Sequence, residues 1–168
     1  MKLSSKLIFI FAFTLSSVAI AEQCENDNAG LRAMALVKVT FSRIDGSSFS
    51  VDAKYANNDR TRAAGFQRVC AERVDSTLIL FEFDNPLMPR FHMHNVVVPL
   101  DIAFIDQDSE IESIQLMNTY SLLLREKPLY GPSRPIIAAL EAHKGFYQKH
   151  SLDSSSKISW ELIDTSGD

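Results

Sequence analysis

Apolar and polar residues alternate along much of this chain with the period of two that half-buried strands show. From Ala35 to Ser42, Leu36, Val37, Val39 and Phe41 are set against Lys38 and Thr40. From Ser47 to Tyr55 the alternation resumes through Phe49, Val51 and Ala53, with Ile44-Asp45-Gly46 between the two runs. Asp-Gly between alternating runs is a strong hairpin signal, because a tight turn needs residues that tolerate positive φ. Asn57-Asn58-Asp59 predicts a helix start, Arg60 to Ala64 a helix of about two turns, and Gly65 its stop.

Continuous apolar runs follow. Thr77 to Phe83 ends in Asp84-Asn85-Pro86, Phe91 to Val98 is closed by Pro99, and Leu100 to Ile105 is closed by Asp106-Gln107-Asp108-Ser109. Each reads as a strand ended by turn residues. Ile111, Ile114 and Met117 mark a less regular strand, and Tyr120 to Pro135, rich in proline, predicts a long loop. Ile136 to Ala142 fits helix or strand by composition, Phe146 to His150 a short helical stretch, and Lys157 to Ile163 a last strand around Ile158, Trp160 and Leu162. Short strands separated by turns, with two short helices, predict a mainly β domain, a compact barrel or sandwich. No repeat or linker divides it, and the lack of long helices excludes parallel α/β folds with their dinucleotide sites.

The N-terminus breaks this pattern. Lys2 and Lys6 precede a fifteen-residue run without charge, Leu7 to Ala21, which closes on Ala19-Ile20-Ala21. A basic start, an apolar run and a small-residue site are the three parts of a secretory signal peptide. The run is shorter than the ~20 residues that span a bilayer. The expected organisation is therefore a signal peptide over 1–21, a polar lead-in over 22–34 and a single β domain over 35–168. The expected location is periplasmic or secreted, with no integral membrane segment after cleavage. Cys24 and Cys70 then lie in an exported chain, where a disulfide is allowed, and two free thiols are the alternative. Closing that loop of about 47 residues is worth roughly 4 kcal/mol in the chain-entropy treatment.

Charge narrows the function classes. The full chain has 17 basic and 21 acidic residues, net −4, and removing Lys2 and Lys6 leaves net −6. A nucleic-acid binder normally carries a basic stripe, so none is expected as a partner. The chain contains no G-x-S-x-G elbow, H-E-x-x-H pair or phosphate-binding G-x-x-x-x-G-K-[ST] loop, and no cofactor is implied.

One segment is more specific. Phe91, Met93, Asn95, Pro99, Leu100, Asp101, Ile102, Phe104, Ile105 and Asp106 fall in the pattern F-W-M-K-N-T-x-x-P-L-D-I-x-F-I-D. His92, His94 and Val96 depart from it. Around it stand Arg62-Ala63-Ala64-Gly65-Phe66, Leu80-Phe81-Glu82-Phe83, the Ile111/Ile114/Met117 strand, Tyr130, Pro132 and Pro135, and Ala139-Leu140-Glu141 followed by Gly145. Over about residues 45 to 160 the chain resembles the domain-of-unknown-function family 192. The family's closing glycine-aspartate turn is replaced here by 153–156. The resemblance implies a compact, mostly β domain, often exported or membrane-attached, with Ile136 to Ala142 as strand. It implies no reaction.

The candidate chemistry rests on polar residues inside apolar runs. Asp101 lies between Leu100 and Ile102, and Glu141 between Leu140 and Ala142. A carboxylate buried in a strand needs a partner, or its pKa rises. Arg62, Asn95, Asp101, Glu141 and His94 are the candidate ligand-binding set, with His92 beside them. Three functions follow. The first is an exported accessory module that binds a small molecule or a protein. The second is a hydrolase using Asp101 or Glu141 as general acid/base, or the two together as a carboxylate pair. The third is a copper or zinc site on His92 and His94, which two-residue spacing would put on one face of a strand.

Overall fold

The computed structural model describes residues 24–121 and 123–163. The predicted signal peptide, 1–21, lies outside the described residues. The elements in chain order are α1 (Ala29–Ala33), β1 (Ala35–Ser42), β2 (Ser48–Ala56), α2 (Asp59–Ala64), α3 (Ala71–Asp75) and β3 (Ile79–Leu87). Then come β4 (Leu100–Ile105), β5 (Ile111–Met117), β6 (Ile136–His143), α4 (Phe146–Lys149) and β7 (Lys157–Leu162). They form one seven-stranded sheet of order β5-β4-β6-β3-β2-β1-β7. Among the described strands β2 and β3 are the parallel pair, across a connection that holds α2 and α3.

Local chemistry explains the turns. β1 and β2 make the predicted hairpin, in register from Ala35↔Tyr55 to Ser42↔Ser48. At its tip Gly46 takes φ 83° and the Asp45 carboxylate accepts from the Ser47 amide and hydroxyl. α2 starts as predicted: Asn58 accepts from the Thr61 amide, and Thr61 Oγ1 accepts from the Asn58 amide, a reciprocal cap. The β4–β5 turn is held by Asp106, whose Oδ1 accepts from the amides of Asp108 and Glu110.

Two apolar clusters lie on opposite faces of the sheet. One draws buried residues from every strand, among them Val39, Ala53, Leu80, Ala103, Ile111, Leu140 and Ile158, and is plugged by Phe146 and Tyr147 of α4. It is the inside of a curled sheet. The other lies on the outer face of β3, β4 and β6, under the three helices α1, α2 and α3 and the segment that follows β3. Because both faces of β4 are covered, all six of its residues are buried, which is why the run reads as continuous apolar sequence.

Five expectations need correction. The sheet does not close into a barrel. Its edges touch at one end through the Glu110↔Lys157 bridge, the Ile158 amide to Ser109 carbonyl bond (2.8 Å) and a Lys157–Glu110 ion pair (3.2 Å). There are four short helices among the described residues instead of two, because α1 and α3 are five residues each and too short to show a helical period. The lead-in is not loose: Leu31 and Met34 are buried, and a Cβ at Gly30 would stand 2.1 Å from Ala64 Cβ, so α1 crosses α2 at glycine distance. Asp84-Asn85-Pro86 does not end β3, which continues irregularly to Leu87 with a register shift after Glu82. The run from Phe91 to Val98 is no strand. Phe91 makes one bridge to Tyr130, and the chain turns at Asn95, at φ 57°, whose carbonyl accepts from the Arg68 amide at 2.7 Å.

Candidate functional site

An apolar cleft opens on the outer face of the sheet where α2 ends. Its walls are Phe66 after α2, Phe81 and Phe83 on β3, and Phe91 and Val96 on the following segment. Arg62, Arg90 and His92 stand among its polar lining, and Glu141 completes it. The space is about 150 Å³. Phe81 and Phe83 share a face by strand alternation. Phe91 packs edge-on against Phe81, 5.2 Å between centroids.

Glu141 sits deep in this cleft. On β6 it is flanked by its register partners Ile79 of β3 and Ile102 of β4, both fully buried. Its residue is 5% exposed. Burial alone pushes its carboxyl from an ordinary 4.5 up to about 8, and no neighbouring charge or hydrogen bond pulls it back. Gly65 supplies the backbone turn beside the acid, in a conformation that L side chains rarely adopt. At φ 46° it holds the α2 C-terminus close over the acid, and a Cβ there would stand 3.8 Å from Glu141 Oε2.

The wall is pinned from behind. Cys24 and Cys70 are joined by a disulfide. Next to it Glu25 and Val69 bridge in parallel. The Asn28 side-chain amide donates to the carbonyls of Gly65 and Gln67, at 3.1 and 2.9 Å. Arg62 is fixed by the Glu82 carbonyl (2.9 Å) and by Asp59 (2.8 Å), with its guanidinium 5.7 Å from the Phe83 ring centre. No acid pairs with Arg90 among the described residues.

Of the candidate residues, Arg62 and Glu141 meet in the cleft, with His92 alongside. Asp101, Asn95 and His94 are not part of its lining. Strand alternation sends Asp101 to the inner face, because its neighbours Leu100 and Ile102 belong to the outer cluster. There Asp101 Oδ2 accepts from the Gly145 amide at 2.7 Å. Burial raises its pKa, against the Gly145 bond and the charges of His143 and Lys144, which lower it. Asp101 and Glu141 therefore lie on opposite sides of one sheet and cannot share a substrate as an acid/base pair. His92 and His94 are on a turn, with ring centres 6.2 Å apart, and His92 Nδ1 accepts from the His94 amide (3.3 Å). Two ligands of one ion could stand at that separation, but no group of three ligating side chains occurs among the described residues.

Sequence reasoning missed the phenylalanine walls and Arg90. The two-residue spacing of Phe81 and Phe83 was a usable signal. Phe66 and Phe91 come from segments that only the tertiary fold brings together.

The comparisons agree with this architecture. The sequence model of the family DUF192, described as Uncharacterized ACR, matches residues 40–160. No curated protein matches the chain. Among solved structures it is similar to a candidate transcription regulator from Sinorhizobium meliloti 1021, with TM-score 0.64 and 20% identity, over 76% of this chain and 95% of that one. It is also similar to a protein of unknown function from Novosphingobium aromaticivorans DSM 12444, with TM-score 0.61 and 24% identity, over 74% and 85%. At these identities the likeness establishes a shared fold. No helix among the described residues is long and apolar enough to cross a membrane.

Proposed function

The chain belongs to the DUF192 family, and we propose that it is an exported binding module whose ligand is a small molecule seated in the Glu141 cleft. The observation that carries this reading is a carboxyl at the base of an apolar cleft to which no group among the described residues is hydrogen-bonded. Burial strips the carboxyl of most of its water while the cleft leaves it reachable, so a ligand that offers a hydrogen-bonding group meets an acid already largely desolvated. An open, mostly apolar concavity with few convergent polar groups is the ordinary form of a small-molecule site. The charge-free run 7–21 after Lys2 and Lys6, and the Cys24–Cys70 disulfide, support an oxidising compartment, periplasmic or extracellular.

Two experiments test the two halves of this reading. Expressed with its full N-terminus in a bacterial host, the protein is expected in the periplasm or medium with Glu22 as its first residue, as intact mass would record. A cytoplasmic product that begins at Met1 removes the export half. For the cleft, an amide-resolved fragment screen is expected to give shifts clustered on Gly65, Phe81 and Val96. Ala63→Trp, at an exposed position on the cleft wall, is expected to abolish them. Turnover of a hydrolase substrate that Glu141→Gln eliminates would replace the binding module by an enzyme.

A further inference from the structure

Size, wall chemistry and charge together restrict what the cleft can hold. A space of about 150 Å³ is that of a cavity that accepts one benzene-sized molecule. The walls offer aromatic edges and faces from Phe66, Phe81, Phe83 and Phe91, which favour a ring by offset or edge contacts. The charged side chains of the lining besides Glu141 are both cations. Arg62 already spends donors on Asp59 and Glu82, whereas Arg90 has no acid partner among the described residues. Guanidinium recognises a planar carboxylate through paired donors. Glu141 stands apart from these cations as an unbonded carboxyl, 5% exposed.

Resting on the binding reading above, we infer that the cleft selects a single-ring organic acid, with its ring against the phenylalanines, its anionic group at Arg90 and a neutral hydroxyl or carbonyl against Glu141. The opposite orientation, an amine buried against an ionised Glu141, would bring a cation past Arg62 and Arg90 without relief. It also needs the acid charged where burial disfavours the charge and no protein group lowers its pKa. A protonated carboxyl both donates and accepts, so it matches a neutral hydroxyl without an ionisation step.

The test is a matched series titrated at neutral pH into protein expressed from the full chain: 4-hydroxybenzoate, benzoate, 4-hydroxybenzamide and 4-hydroxybenzylamine. Amide shifts at Gly65 and Phe81 locate each probe. The hydroxy acid is expected to bind tightest, roughly fivefold better than its neutral amide, the scale of one partly exposed ion pair. Arg90→Gln is expected to erase that preference while the amide still binds, and Glu141→Leu to make benzoate and 4-hydroxybenzoate equal. Circular dichroism on both variants checks that they remain folded. Arg90 is an exposed side chain, so its substitution leaves the core intact. If the amide or the amine binds in the cleft as tightly as the acid, or if Arg90→Gln leaves the preference unchanged, this inference fails and the binding module stands. If no probe shifts cleft amides up to millimolar concentration, both fail.

Discussion

The two faces of the sheet treat the same kind of residue in opposite ways. Asp101 on β4 and Glu141 on β6 are one register step apart, since Asp101 opposes Ala142 and Glu141 opposes Ile102. Both interrupt apolar strands and both are largely buried. On the inner face every polar intrusion has a partner. Asp101 takes the Gly145 amide, the Tyr147 hydroxyl donates to the Leu140 carbonyl, and Glu82 accepts from the Tyr55 hydroxyl and the Trp160 indole N–H. On the outer face Glu141 has none and looks into an open cleft. The contrast separates polar groups that serve the fold from one that the fold keeps available. A protein selected for stability alone would have no reason to retain the second kind.

The largest consequence concerns pH. For Glu141 the folded pKa of about 8 lies above its ordinary 4.5. Below 4.5 both states hold the proton and nothing is lost. Between 4.5 and about 8 the unfolded chain releases its proton while the folded one keeps it, so stability falls as pH rises, and above that window the penalty is constant. A displacement of this size corresponds to roughly 5 kcal/mol. Arg62, Arg90 and His92 line the same cleft, but none of them lowers the Glu141 pKa. Urea unfolding across this window is expected to show a decline that Glu141→Gln flattens. A wild-type profile that matches the variant would mean that the carboxyl has a partner after all, and the contrast between the faces would vanish.

The disulfide comes next, because it serves the face that carries the cleft. Its 46-residue separation makes the linkage worth about 2–4 kcal/mol. It also anchors α1, whose cap residue Asn28 holds the carbonyls of Gly65 and Gln67. Cys24→Ser with Cys70→Ser is therefore expected to lower the unfolding midpoint and to increase hydrogen exchange at Gly65 and Gln67. Amides of the inner face, such as Ala103, are expected to keep their relative protection. Uniform loosening of both faces would show that the linkage stabilises the domain without favouring the cleft.

How far the contrast was legible in the sequence follows from the same residues. β1 and β4 were readable to the residue, since alternation and a doubly covered apolar run are both strong signals. The run 91–98 reads as a strand because an apolar turn and an apolar strand share a composition. What separates them is the Arg68 amide on the Asn95 carbonyl, a contact between segments with no local trace. The candidate acids were legible as charges in apolar runs. Which of them had a partner was not, because the deciding group is the backbone amide of Gly145, and every residue has such an amide. Arg62 stands in a recognisable motif and Arg90 does not, since an exposed arginine carries no signal until the fold places it in the lining of the Glu141 cleft.

Asp101 sharpens the comparison from the inner side. Asp101→Ala leaves the half-buried Gly145 amide without its acceptor at the start of α4, and the loss of that hydrogen bond costs about 1 kcal/mol. The loss is expected in thermal unfolding, with cleft binding unchanged. Asp101→Asn, which keeps an acceptor oxygen, is expected to recover most of it. A binding defect in Asp101→Ala without a stability change would place Asp101 in the functional site despite its face.

The smallest effect belongs to Tyr147. Its hydroxyl donates to the Leu140 carbonyl at 2.6 Å inside the inner cluster, and its residue is 2% exposed. Burial raises its pKa well above the ordinary 10, so it stays protonated wherever the protein is folded. Tyr147→Phe removes a donor and leaves behind a carbonyl in the middle of β6, a strand paired on both sides. Because the ladder already serves that strand, the expected cost is about 1 kcal/mol, the net value of one neutral hydrogen bond. The hydroxyl itself moves no proton between about pH 5 and about pH 9, so any change in that cost across the interval reports the carboxyls of Asp101 and Glu141, which, besides burial, push the Tyr147 pKa up. Glu141→Gln, one residue from Leu140 on the opposite face, should change stability strongly across that interval. A pH dependence of Tyr147→Phe as large as that of Glu141→Gln would mean that Glu141 acts on the inner face as strongly as on its own. The division between a sealed side and an available side would then run elsewhere than through β6.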